Sequence, residues 1–258
     1  GAAAGTLGSL LLSLPDGILR VLAACVVAAS LGSPLLPPLA GVVFAMEAMA
    51  IGYSVLGFAP VILAAVSATA LARLAYGADP AFEVPALALR SLWELPYIVL
   101  VGLAIGVLAS AFTALLELVA AKAARLPFWA ACSLAGLLVG LCALVAPRVM
   151  GIGYDTVNAA LVGSLALGTL AAVALLKLLA TTLGVGLGLP GGLIGPMLVI
   201  GAAAGGALGV VGAWLVPSHA SSTGFYALLG MGAMMGGTLH APLAALTAML
   251  ELTGNPNI

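Results

Sequence analysis

Residues 188–205 read GLPGGLIGPMLVIGAAAG, a glycine- and proline-broken helix start set inside sequence apolar enough for a membrane. Backbone that leaves the helical pattern inside hydrocarbon is tolerated only where protein buries it or a polar cavity receives it. The chain must therefore wrap other elements around this break. Proline near a helix start leaves no amide to satisfy, and the neighbouring glycines let the remaining N–H groups approach a ligand closely. The positive end of the helix dipole can then face a small anion, so the segment reads as an anion cradle.

Hydrophobic residues make up 64% of the 258 and charged ones only 6%, a balance that a soluble domain of this size does not carry. The apolar signal recurs along the whole length, so it is neither a secretory signal nor a single anchor. We expect an all-α, multi-pass integral membrane protein of the cell or inner membrane. Helices are expected at about 18–31, 38–52, 54–77, 93–124, 128–147, 164–187, 193–216, 225–239 and 242–253, divided by Pro, Gly or polar punctuation. A perpendicular span needs about 20 apolar residues. The pieces at 38–52, 225–239 and 242–253 are shorter, which points to half-helices meeting inside the bilayer, the arrangement that builds ion sites. Seven Lys+Arg against eight Asp+Glu leave no basic tract, so nucleic acid is excluded as a partner. Cys25, Cys132 and Cys142 lie in apolar runs without CxxC spacing and read as packing, with no metal site or disulfide framework.

The most polar connection, Gly77 to Arg90, divides the chain into the end of a first half (1–77), a connecting loop (78–92) and most of a second half (93–258). Traces of duplication support two halves. GAAAG at Gly1–Gly5 recurs at Gly201–Gly205, and Pro38-Leu-Ala followed by Glu47 recurs as Pro242-Leu-Ala followed by Glu251, nine residues from proline to glutamate both times. Their shared order points to a duplicated transporter half. Arg73 and Arg90 oppose Lys122 and Arg125, so the positive-inside count is even and sets no orientation. Gly201, Gly205 and Gly209 form a GxxxGxxxG ridge, and Gly232 with Gly236 a second, for close helix packing.

Gly192-Leu-Ile-Gly-Pro196, followed by the run from Gly230-Met-Gly-Ala233 through Ala241-Pro-Leu243 to Leu250-Glu-Leu-Thr253, resembles the CLC family of chloride channels and chloride/proton antiporters. That family has a GxFxP helix start and then GMGA, APL and LE(M/L)T in the same order. Pro38-Leu-Ala-Gly-Val-Val-Phe-Ala-Met-Glu47 is similar to its first-half APLAGxxFxxE segment, and Leu176-Lys-Leu-Leu-Ala-Thr-Thr182 to the basic helix ahead of GxFxP. The resemblance covers nearly the whole chain. It implies broken helices in inverted repeats, a homodimer with a pore in each subunit, and anion sites near the bilayer midplane. It also implies a longer parent protein, with a gating GxEGP segment ahead of Gly1 and further helices after Ile258.

Carried over by the resemblance, the amides of Leu193 and Ile194 would donate to the anion, with Gly192, Gly195 and Pro196 shaping the turn. Backbone donors suit such a task, because partial charges hold an ion weakly enough to release it. Ile194 stands where the family usually has Phe, so the amide survives but the pore-lining ring does not. Ala48 stands where proton-coupled members carry the second of two consecutive glutamates, the internal proton relay; Glu47 matches the first. The resemblance therefore implies chloride transport that is channel-like or weakly proton-coupled, with the anion itself as cargo and no cofactor. A chloride/proton antiporter is the first alternative. A carboxylate-based cation carrier using Glu47 and Glu251, or a non-transporting membrane subunit, are the others.

Intramembrane carboxylates are costly, so Glu47 and Glu251 are candidates for pore electrostatics or a proton pathway, against a structural pairing. Lys177 is a candidate for raising the potential along an anion path, against snorkelling or a structural ion pair. His240, between two half-helices, reads as a group that satisfies backbone at the break, with titration near neutral pH as the sharper alternative. Tyr154 opens a helix with Asp155 or Thr156 as its cap. Met231, Met234 and Met235 read as packing. Neither GxxxxGK(S/T), HExxH nor GxSxG occurs, so no enzyme and no catalytic residue is expected.

Overall fold

The computed structural model describes residues 16–35, 38–49, 55–77, 82, 90–215 and 221–253. Among these it holds ten α-helices and two short 3₁₀ turns, with no strand. The helices are α1 (Asp16–Leu35), α2 (Pro38–Met49), α3 (Val55–Tyr76), α4 (Leu95–Ala123), α5 (Phe128–Val145), α6 (Tyr154–Val162), α7 (Leu167–Gly186), α8 (Ile194–Leu215), α9 (Thr223–Leu239) and α10 (Pro242–Thr253). The 3₁₀ turns are Leu92–Glu94 ahead of α4 and Pro147–Val149 after α5. Among the described residues, segments long and apolar enough to cross a membrane number five: Gly57–Tyr76, Leu92–Ala123, Phe128–Val145, Leu167–Gly186 and Ile194–Leu215. The first GAAAG stretch lies outside the described residues.

The chain divides into two compact units, and α10 belongs with α1–α3 rather than with the helix that precedes it. In this first unit a core of small side chains, Ala24, Ala28, Val42, Ala45, Met46, Val61 and Ala65, packs three helices at short range. Gly41 faces the Ala28 carbonyl so closely that a methyl there would stand 2.7 Å from it. The Thr69 hydroxyl donates to the Gly32 carbonyl at 3.1 Å, tying α3 to α1.

The short helices α2 and α10, each 12 residues and so about 18 Å long, cannot span about 30 Å of hydrocarbon alone. They run antiparallel, because the carboxylate near the end of each reaches the start of the other, as described below. A two-fold relation between them follows, and it brings the two Pro-Leu-Ala…Glu segments of the sequence together as an inverted pair.

In the second unit α4 buries Val101, Ile105, Ala109 and Phe112, a stripe at helical spacing, while Val99, Leu100, Leu103 and Val107 stay exposed as lipid-facing side chains would. Helices α7 and α8 are the central ones, with roughly half of their apolar windows buried (50% and 56%). Close approach of α8 to α9 explains the glycine ridge. A methyl on Gly201 would collide with the Gly230 carbonyl, one on Gly205 with the Tyr226 carbonyl, and one on Gly209 would stand 2.8 Å from Tyr226 Cβ. The glycine that meets the ridge is thus Gly230. Tyr226 sets its ring edge-on to Tyr97 at 5.6 Å, and the Tyr97 hydroxyl donates to the Leu208 carbonyl at 2.6 Å.

The expected helix ends differ by a few residues from those observed, and α6 is the larger difference. This nine-residue helix is read in the sequence only as a start, with a side-chain cap from Asp155 or Thr156. The structure corrects the cap: Gly153, left-handed at φ 86°, holds the N-cap position with no side-chain bond, and Thr156 is buried. A second left-handed glycine, Gly163 at φ 76°, ends the helix. The two glycines enclose a helix too short to show an apolar period.

Candidate anion-binding site

The site begins with how α7 stops. Leu189 N donates to the Gly184 carbonyl and Gly188 N to the Val185 carbonyl, both at 3.0 Å, and Gly188 takes φ 98°. This paired closure around a left-handed glycine reverses the chain and satisfies the last carbonyls of the helix. Residues Leu189–Gly192, which are neither helix nor strand, lead to Leu193, whose carbonyl accepts the first intrahelical bond of α8, from Met197 N at 3.0 Å. Pro196 brings no donor to the first turn. The amides of Leu193, Ile194 and Gly195 meet no acceptor among the described residues. Gly192 is exposed and Leu193 to Pro196 are half-buried, after which α8 is buried from Met197 through Ala203. Three orphan donors thus sit at the positive end of a mostly buried helix, in the geometry that binds anions.

Lys177 belongs to the same unit. Its side chain, 4% exposed, donates from Nζ to the Val149 carbonyl at 2.7 Å and to the Gly151 carbonyl at 2.6 Å. No carboxylate pairs with it among the described residues. The turn it holds touches the helix start: a methyl on Gly195 would stand 3.2 Å from Ile152 Cγ2, and one on Gly153 would stand 2.9 Å from Val199 Cγ2. An open cleft of about 690 Å³ lies over this turn, with Arg148, Ile152, Gly153, Tyr154 and Asp155 in its wall. Gly192, Leu193, Ile194 and Gly195 are therefore joined to Lys177 through the Val149–Gly153 turn.

Glu47 and Glu251 come together in the first unit instead. Glu47 accepts from Leu243 N at 3.3 Å and Ala244 N at 2.9 Å, and Glu251 accepts from Leu39 N at 3.1 Å and Ala40 N at 2.7 Å. Each carboxylate caps the start of the other half-helix, two amides apiece, which answers both the dipole and the orphan donors. Removing either cap, as Glu47→Ala or Glu251→Ala, is expected to cost about 1–2 kcal/mol of stability. Thermal unfolding in detergent checks this, and unchanged melting would show the caps to be dispensable.

Glu47, and not His240, takes the amides at the start of α10. The structure corrects that expectation: His240 is exposed and contributes a left-handed turn at φ 53° between α9 and α10. One polar cluster escapes sequence reasoning. Glu94, 5% exposed, accepts from the Ser221 hydroxyl at 2.5 Å on Oε2, and Arg90 N donates to Ser221 Oγ at 2.9 Å. Glu94 Oε1 is buried without a partner among the described residues. The only cue was an acidic residue just ahead of a helix that opens Leu-Pro.

The whole chain, residues 1–258, matches the voltage-gated chloride channel family. It belongs to that family, the CLC proteins. A ClcB-like chloride channel protein of Ralstonia nicotianae is 33% identical over 237 residues, covering 91% of this chain and 55% of the relative. The H(+)/Cl(-) exchange transporter ClcA of Yersinia pestis is 31% identical over 236 residues, covering 88% of this chain and 49% of the relative. A solved structure of a slow cyanobacterial Cl-/H+ antiporter superposes with a TM-score of 0.87 at 26% identity, covering 99% of this chain and 61% of that one. The chain spans about half the length of the curated relatives it matches. As a CLC chain with five helices able to span, it is a multi-pass integral membrane protein. Its relatives are channels and transporters, not enzymes, and no cluster of metal-binding side chains occurs among the described residues.

Proposed function

We propose that this CLC chain carries part of a transmembrane chloride pathway, in which the anion passes the amides of Leu193, Ile194 and Gly195. The observation that carries the reading is the set of three orphan amides at the start of α8. Such donors compensate an anion without a fixed countercharge in contact, so the ion can leave as readily as it enters. Lys177 adds an unpaired positive charge behind the same turn. The family likeness supports a homodimer in the bilayer, with the anion as cargo and no cofactor.

Transport is read as channel-like or weakly proton-coupled, because Ala48 follows Glu47 where coupled relatives carry a second glutamate. Chloride/proton exchange is the second reading, and it is favoured by the exchanger and antiporter among the similar proteins. It would require Glu47 to leave its cap on α10 or another group to relay protons. The parent protein in liposomes separates the two. Chloride efflux with no accompanying proton movement, and a reversal potential that follows the chloride gradient alone, is the expected result; stoichiometric proton uptake would establish exchange. A reversal potential that follows sodium would overturn anion transport.

A further inference from the structure

We infer that Lys177 is a positioning residue for the anion turn, holding the Val149–Gly153 segment against the start of α8 and so setting which anion the amides prefer. The inference rests on the anion reading above and assigns a specificity role that charge alone does not provide. The ammonium is buried and gives two short bonds to carbonyls two residues apart. Among the described residues no backbone N–H donates to either carbonyl, and Lys177 supplies a donor to both. Gly151 and Gly153 both take positive φ, at 66° and 86°, and Val149 is 4% exposed. From this turn Ile152 leans on Gly195 and Gly153 abuts Val199, two contacts one helical turn apart on the same face of α8.

The two roles of a lysine can be told apart. A buried charge acts on every monovalent anion in nearly the same way, so losing it weakens all of them by a similar factor. Donor placement acts through distance, and hydrogen bonds weaken steeply as geometry departs from optimum. A displaced turn therefore changes the preference among anions of different radius, such as chloride, bromide and nitrate.

The decisive variant leaves every charge in place. In Gly153→Ala the new methyl would meet Val199 at 2.9 Å, on backbone at φ 86° that side chains rarely adopt. Ile152→Ala removes the other contact more gently, and Lys177→Met removes ammonium and clamp together. Chloride, bromide and nitrate affinities are measured by isothermal titration on the parent protein in detergent. The expected result is at least a threefold change in the chloride-to-bromide affinity ratio for Gly153→Ala or Ile152→Ala, and for Lys177→Met a similar change with a general loss. Unchanged ratios in Ile152→Ala and every folded Gly153→Ala sample, with all three anions weakened by one common factor in Lys177→Met, would make Lys177 a source of charge and nothing more. A parent protein that binds none of the three anions would overturn the anion site itself and the positioning role with it.

Discussion

Replacing Ile194 by proline should weaken chloride binding by about 10- to 100-fold, the consequence of losing one hydrogen bond to a charged ligand. The position makes the test clean. Ile194 is the first helical residue of α8, where proline is well tolerated because its missing N–H would make no intrahelical bond. The helix should therefore persist while one of three donors disappears. Leu193→Pro removes a neighbouring donor but also strains the extended approach from Pro190, so we expect at least as large a loss there. Isothermal titration with chloride, alongside circular dichroism to confirm the helix, checks both. Unchanged affinity in a folded Ile194→Pro protein would mean that the anion does not use this amide, and the reading of the turn would fall.

The largest effect on folding is expected for Gly230→Ala. A single methyl there would collide with the Gly201 carbonyl and stand 2.8 Å from Gly205 Cα, so backbone rather than a flexible side chain opposes it on α8. Overpacking of this kind costs about 1–3 kcal/mol in a well-packed interior and more when the obstacle cannot move. In the membrane, where close backbone packing replaces the hydrophobic drive between helices, the loss falls on the main interaction holding α8 to α9. We expect little folded protein in detergent extracts of Gly230→Ala, measured by size-exclusion chromatography. Gly168→Ala, at a position with open space around it, is the control and should behave as the parent does.

Much of the fold was legible because a bilayer imposes simple rules. The Leu92–Ala123 and Ile194–Leu215 spans are visible as apolar runs of sufficient length, and hydrocarbon leaves backbone in such runs little choice but helix. The short pieces at Pro38–Met49 and Pro242–Thr253 announced themselves by proline and by length. The break ahead of α8 was legible for a similar reason. Glycines together with Pro190 and Pro196 must interrupt a helix in the middle of apolar sequence, and an interruption at that depth leaves amides that only protein or a ligand can satisfy.

What stayed hidden was whatever depends on the partner of a side chain. Glu47 and Glu251 are far apart in sequence, and nothing local says that each caps the helix of the other. Lys177 carried the same composition signal whether it snorkels, pairs with an acid or grips carbonyls, and only the approach of residues 149–151 decided among these. Gly232 with Gly236 read as a ridge in the sequence, and only the structure shows that Gly230 is the glycine packed against Gly201 and Gly205 of α8.

The sequence by itself determined that this chain lives in a membrane, that it is built of whole and half helices, and that one break interrupts helix inside apolar sequence. Those conclusions follow from solvation, which acts on each segment separately. Tertiary structure alone decided that the two intramembrane glutamates cap one another and that the buried lysine grips the carbonyls of Val149 and Gly151. Hydrogen bonds are short and directional, so their partners are settled by where helices pack, a property of the folded chain and of no single segment.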